Sequence, residues 1–316
     1  MSIQKYLEDM KKIQDYILDF LEKEEQKEEN FQILTLFLNE QKIYDDQQKL
    51  NSLLHLILKI ANNYFNGPTF FAKIERILKL FISSIKKYFS NFEIFNIFKS
   101  NKRILLFLIE EQVMTIDKYI AKKMQTNKKF INAKYPQYFA PEIKAFKKQL
   151  HYSKQEGRTK FLIEGRHEET DDSLPPNFYE LRREGENENQ ICKLIRNDMI
   201  DEFIVYVNKH NVSIDSSIKD SIYETNCFLI KNQIISGTDR ISYLNRLTPI
   251  KYAAFFGSIQ IFKYLKLNGA DLSPSIWLYQ SFTAKTTVMH DSQQRKISSQ
   301  IHIQNHKELI KEFNKN

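Results

Sequence analysis

Apolar residues recur three and four positions apart along most of the first 150 residues. Ile3, Leu7, Met10, Ile13, Ile17, Phe20 and Leu21 mark one face of an amphipathic helix predicted over residues 1–29. That helix ends in the acidic run from Glu22 to Glu29, a solvated helix face rather than a docking tail. The same spacing predicts helices over 31–42 and 46–64. Asn66-Gly67-Pro68 makes a turn. Thr69 then starts a predicted helix to Lys87, with Phe70, Ile74, Ile77, Leu78, Phe81, Ile82 and Ile85 on its inner face. Further helices are expected near 91–98, 101–111 and 115–124, and from Pro141 to about Leu150, with Asn and Lys filling the short joints. Elements of this length on short connections describe stacked helical hairpins.

From about Tyr152 to Asn189 the pattern fades. Gly157, Gly165, Pro175, Pro176 and Gly185 fall here, with the acidic residues Glu168, Glu169, Asp171, Asp172, Glu184, Glu186 and Glu188. The expected organisation is therefore a helical N-terminal region (1–151), an acidic connection containing Gly and Pro (152–189), a repeat region (190–280) and a polar, poorly ordered tail (281–316). The 316 residues contain only 7 Gly and 7 Pro. That is roughly a third and a half of average usage, too few for the many turns of an all-β chain.

One segment is specific: Thr248-Pro249-Ile250-Lys251-Tyr252-Ala253-Ala254, then Gly257, Ile259, Phe262 and Leu265, closing on Gly269-Ala270-Asp271. Thr248 suits a helix N-cap and Pro249 the first helical position. Ala253 and Ala254 permit a close helix approach. Gly257 and Gly269 can each end a helix in the left-handed conformation, and Asp271 can start the next turn by accepting backbone N–H bonds. Asn211–Ile218 runs parallel to Gly269–Ile276, 58 residues away. Asp198–Val207 matches the second helix of such a unit, and Ser273-Pro274 can open another through Ile276, Trp277 and Leu278.

This pattern resembles an ankyrin repeat, and residues 191–279 resemble the degenerate, protist-expanded type of ankyrin-like domain. Residues 90–150 resemble it loosely, with 94–111 as a further hairpin. The resemblance implies an all-α solenoid of stacked hairpins. It implies a non-enzymatic scaffold for protein–protein interaction, with the partner meeting turn tips and first helices. By position those residues are Arg246, Lys251 and Tyr252, with Arg240 and Tyr243 on an insertion. Lys251 stands where the family usually has a His that ties neighbouring turns together, so this repeat is expected to stack less rigidly.

No Gly-x-x-x-x-Gly-Lys, Gly-x-Gly-x-x-Gly or Gly-x-Ser-x-Gly occurs. No catalytic residue, cofactor or metal site is therefore assigned. His167-Glu168-Glu169 lacks the second His of a zinc-protease helix, and His302 with His306 lacks a third ligand. Cys192 and Trp277 read as core residues. Two cysteines without metal spacing read as reduced thiols. The charged N-terminus lacks a signal-peptide pattern, and the longest apolar run, Ile104 to Ile109, is far short of the roughly 18 residues of a membrane span. A cytoplasmic location is expected, with the nucleus as an alternative. The net charge is +8, and residues 73–148 carry 17 Lys and Arg against 6 Asp and Glu. The second functional reading is nucleic-acid binding through that basic region.

Overall fold

Short polar side chains at the joints start many of the helices. Ser90 and Glu93 form a reciprocal capping box: Ser90 Oγ accepts from the Glu93 N–H at 3.3 Å, and Glu93 Oε2 accepts from the Ser90 N–H at 2.8 Å. Asn101, Asp117 and Asn127 accept from the N–H groups of Ile104, Ile120 and Lys129, and Asp46 accepts from those of Gln48 and Lys49. The computed structural model describes residues 3–22, 27–63, 69–154, 174–226, 228–230, 246–273, 276 and 279. Among these residues every regular element is helical.

The N-terminal region contains α1 (Ile3–Glu22), α2 (Lys27–Glu40), a 3-10 turn (Ile43–Asp45), α3 (Gln47–Asn63), α4 (Phe70–Lys79), α5 (Ile82–Tyr88), α6 (Asn91–Phe98), α7 (Lys102–Glu110), α8 (Lys118–Thr126), α9 (Lys128–Asn132), α10 (Tyr135–Tyr138) and α11 (Ala140–Lys154). After α12 (Phe178–Glu184) come two hairpins: α13 (Gln190–Arg196) with α14 (Ile200–Lys209), and α15 (Pro249–Phe256) with α16 (Ile259–Leu267). One apolar core runs from Ile13 to Ile143 and a second from Cys192 to Tyr279.

One predicted helix is divided. The helix expected over 69–87 breaks at Leu80 and Phe81. Phe81 leaves helical geometry (φ −107°, ψ 2°) and its buried ring stacks on Tyr44 at 4.8 Å. Ser84 Oγ donates to the Tyr44 carbonyl at 3.0 Å on the far side of the break. The aromatic contact outweighs a continued helix, because Ser83 and Ser84 are weak helix formers. Residues 23–26 lie outside the described residues, and the helix expected over 1–29 is described as α1 to Glu22. There the buried Lys73 reaches in from α4, and its Nζ donates to the Leu21 carbonyl at 2.8 Å, a cation placed at a helix C-terminus. The acidic run beyond it includes Glu28 and Glu29 in the first turn of α2, where the helix dipole favours them.

The two hairpins share one register at an offset of 58–59 residues. Between their helices stand Asp198 (φ 49°) and Gly257 (φ 72°), and after the second helix of each stand Asn211 (φ 48°) and Gly269 (φ 86°). The cap hydrogen bonds also correspond. Met199 N–H donates to Leu194 O and Ser258 N–H to Ala253 O; Val212 N–H donates to Val207 O and Ala270 N–H to Leu265 O. All four span five residues, as in a Schellman cap. Gly257 and Gly269 thus occupy the left-handed positions expected of them. Pro249 lies in the first turn of α15, but the buried Thr248 hydroxyl caps no N–H.

Like helices stack on like, α13 on α15 and α14 on α16. Ala253 and Ala254 are fully buried between them, and the Ser258 hydroxyl donates to the Ile195 carbonyl. Asp198 crosses the stack: its carboxylate accepts from the Gln260 and Ile261 N–H groups at 3.1 and 3.0 Å and so caps α16. At the other turn the Asp271 N–H donates to Asp215 Oδ1 at 2.9 Å. The carboxylate that accepts there is the first unit's Asp215, rather than Asp271 itself.

Replacing Asp198 with Gly keeps the left-handed turn and removes the cap on α16. Asp198→Gly should lower stability by about 0.5 kcal/mol, the roughly 1 kcal/mol of the lost cap less what glycine relieves at a left-handed position, while Asp198→Asn retains most of it. Urea unfolding of the three proteins checks this; equal midpoints for Gly and Asp would show that the cap is worth no more than the strain of the left-handed aspartate.

Candidate functional site

Of the five residues expected on a partner face, Arg240 and Tyr243 lie outside the described residues, as do Trp277, the histidines at 167, 302 and 306, and the tail 281–316. Lys251 and Tyr252 do not face solvent. Lys251 is 3% exposed, and its Nζ donates to the Arg246 carbonyl within its own turn at 2.9 Å. Burial holds its amine below the usual lysine range, against the pull of Asp271. Tyr252 is fully buried, and its hydroxyl accepts from Arg196 Nη1 at 2.9 Å across the stack. The expectation for both rests on α15 being the open first helix of a repeat. In fact Pro249 through Phe255 are all buried. Arg246 alone of the five is partly exposed among the described residues.

The polar residues that sequence reasoning did not find form a seam between the N-terminal region and the hairpins. Arg182 of α12 is 3% exposed. It grips Glu142 of α11 with two nitrogens at 2.8 and 2.9 Å and donates to the Tyr138 carbonyl at 2.9 Å. In return the Tyr138 hydroxyl donates to the Arg182 carbonyl at 2.9 Å. Lys102 and Arg103, adjacent on α7, are both buried. Lys102 Nζ donates to the carbonyls of Ala133 and Ile222 at 3.2 and 2.9 Å. Arg103 Nε donates to the Arg183 carbonyl at 2.9 Å, and its Nη2 lies against Glu75. Burial pushes the Glu75 carboxyl above its ordinary range despite that neighbour.

The seam continues under α13. Arg196 Nε pairs with Glu186 at 2.9 Å, and its Nη1 donates to the Asn187 carbonyl. Thr225 closes on Gly185 through its N–H (3.0 Å) and its hydroxyl (2.8 Å), both donating to the same carbonyl. A side chain at position 185, where φ is +73°, would meet Thr225 Oγ1 at 2.8 Å, so glycine is required twice over. Glu224 is buried beside Arg196 and Lys102. Burial pushes its carboxyl up to about 7, against the Asn226 N–H that it accepts at 2.9 Å and the two cations. Cys192 sits in the second core, where burial pushes its thiol up to about 12. That is a range in which it is a poor nucleophile near neutral pH. Lys102, Arg103 and Arg182 join the N-terminal region to the segment 182–226, and the contacts of Arg196, Thr225 and Glu224 order that segment from within.

Two concave surfaces remain open. The first is a groove of about 700 Å³ on the faces of α13 and α14 that point away from α15 and α16. Leu194, Met199, Val205 and Tyr206 give it apolar walls, and Lys193, Asp201, Glu202 and Lys209 surround them. Val205 is 64% exposed and Met199 39%. The sequence held a signal for it: Val205 falls on the polar side of a helix whose inner face is Phe203 and Val207. The second is a basic pocket between α6, α8, α9 and α10. Elsewhere in residues 73–148 part of the positive charge is engaged: Lys73 on the Leu21 carbonyl, Arg76 on Glu28 at 2.6 Å, Lys79 on Glu111 at 3.0 Å, and Lys102 and Arg103 in the seam, while Lys86, Lys87, Lys122 and Lys147 are exposed.

No protein-family model, curated protein or solved structure matches this chain. Among the described residues no helix is long and apolar enough to cross a membrane.

The raised Glu224 carboxyl sets a pH dependence. The folded chain holds a proton there up to about pH 7, whereas the unfolded chain releases it near 4.5. The resulting stability is complete below the lower value and is lost as pH rises to the upper one. Glu224→Gln keeps the acceptor for Asn226 and removes the ionisation. It should match the wild type at pH 5 and exceed it at pH 8, by about 3 kcal/mol at most. Melting temperatures across pH 4.5–8 check this; parallel profiles would show that Glu224 does not titrate in that window.

Proposed function

We propose that this chain is a non-enzymatic, ankyrin-like scaffold that binds a protein partner in the cytoplasm, and that the groove on α13 and α14 receives an amphipathic helix of that partner. The observation that carries the reading is the shared register of the two hairpins. Like helices pair and the left-handed residues and caps recur, as in solenoids built to present a surface rather than to hold a reaction centre. The ankyrin-like sequence of α15 and α16 supports the same reading.

The groove is the face on which a further hairpin would stack if the array continued. End units of such arrays ordinarily carry a polar outer face. Here Met199 and Val205 stand exposed inside a mixed-charge rim, the arrangement of an apolar groove that accepts the apolar stripe of a helix. The partner-facing role expected of Lys251 and Tyr252 passes to these residues, with Arg246 at the neighbouring turn.

The double variant Met199→Glu, Val205→Glu alters only exposed side chains, so its melting temperature should stay within a few degrees of the wild type. Quantitative affinity capture, comparing this variant with the wild-type chain, should show specific partners depleted at least about tenfold, as expected when a central apolar contact is removed. Equal recovery by both chains would refute the groove as the binding face.

A further inference from the structure

The basic pocket has a volume of about 600 Å³, within the range of small-molecule sites. Four lysines line it, Lys99, Lys123, Lys128 and Lys129, and no carboxylate does. Lys99 Nζ donates to the amide oxygen of Asn96 at 3.1 Å, and Lys123 lies 5.6 Å from the Tyr119 ring. Among the described residues none of the four forms an ion pair, in contrast to Arg76, Lys79 and Arg103. Four uncompensated ammonium groups around one concavity focus a positive field into it. The wall between them is aromatic. The half-buried Phe130 packs against Tyr135 at 4.9 Å and Phe95 at 5.8 Å, and both neighbours also line the pocket. Ile230 closes the rim from the hairpin side.

We propose that this pocket binds a nucleotide: lysines on its phosphates and Phe130 against its base. Ammonium groups beside an aromatic platform are the arrangement that holds single-stranded nucleic acid without reading its sequence, and a free nucleoside triphosphate offers the same chemistry. The aromatic wall favours a base over a phosphorylated side chain. The absence of arginine among the lining cations removes the bidentate fork on which phosphopeptide sites rely. This inference is independent of the scaffold reading, and it narrows the nucleic-acid expectation for residues 73–148 to one site.

The test uses the full chain and a fluorescein-labelled oligothymidylate six nucleotides long, followed by anisotropy. Binding at 50 mM salt should weaken as salt rises, with a logarithmic slope of about −2 to −3 for three or four phosphate contacts. Lys128→Glu with Lys129→Glu, two exposed positions, should weaken it at least about tenfold. Phe130→Leu should weaken the oligonucleotide severalfold while leaving inorganic tripolyphosphate unchanged. Displacement by millimolar ATP assigns the site to a free nucleotide, and resistance to ATP assigns it to a strand. The proposal is overturned if neither ligand binds at 50 mM salt, or if the double lysine variant binds as the wild type does. It is equally overturned if Phe130→Leu affects tripolyphosphate and oligonucleotide alike, which would leave only an unspecific attraction for polyanions.

Discussion

Buried cations hold this structure together. Lys102, Arg103 and Arg182 are withdrawn from water, a cost offset where their protons meet acceptors; Arg103 Nη1 and Arg182 Nε meet none. Many of those acceptors are main-chain carbonyls supplied from far along the sequence: Ile222 for Lys102, Arg183 for Arg103, Tyr138 for Arg182. A carbonyl offers its lone pairs in one direction, so each bond fixes the path of a loop as well as the place of a side chain. The turn at Gly185, the strap from Ile218 to Asn226 and α12 are located by these contacts rather than by an apolar core of their own. The two cores on either side are thereby tied to each other.

Much of the helical architecture was legible in the sequence, because its signals are local. The apolar spacing of α3, α6 and α7 and the capping residues Ser90, Asn101 and Asp117 act within a few positions of themselves. The glycines at 257 and 269 are legible for the same reason. What could not be read was the break. Nothing near Phe81 announces that Tyr44, two helices earlier, will stack on it and turn the chain. The first hairpin was harder to see than the second, since Asp198 and Asn211 fill its left-handed positions and only their offset from the two glycines betrays the role.

The candidate surfaces were less legible, and for a definite reason. A motif states which residues form a hairpin but not which of its faces remain open. Lys251 and Tyr252 look like surface residues by type, and tertiary packing buries both, the lysine against its own turn and the tyrosine against Arg196. In the basic stretch the count of charges overstated the field. Arg76, Lys79 and Arg103 are paired with carboxylates remote in sequence, and Lys73 and Lys102 are buried against remote carbonyls; a local count cannot separate them from Lys99, Lys123, Lys128 and Lys129.

The seam also bears on the order in which the chain can mature during synthesis. An ordinary solenoid can add one unit at a time as it leaves the ribosome, since each needs only its neighbour. Here α7 emerges early, while the carbonyls of Arg183 and Ile222 that receive its cations are made 80 and 120 residues later. The nascent N-terminal half must wait with those side chains hydrated, and its final docking is timed by the arrival of the segment around Gly185 and Thr225.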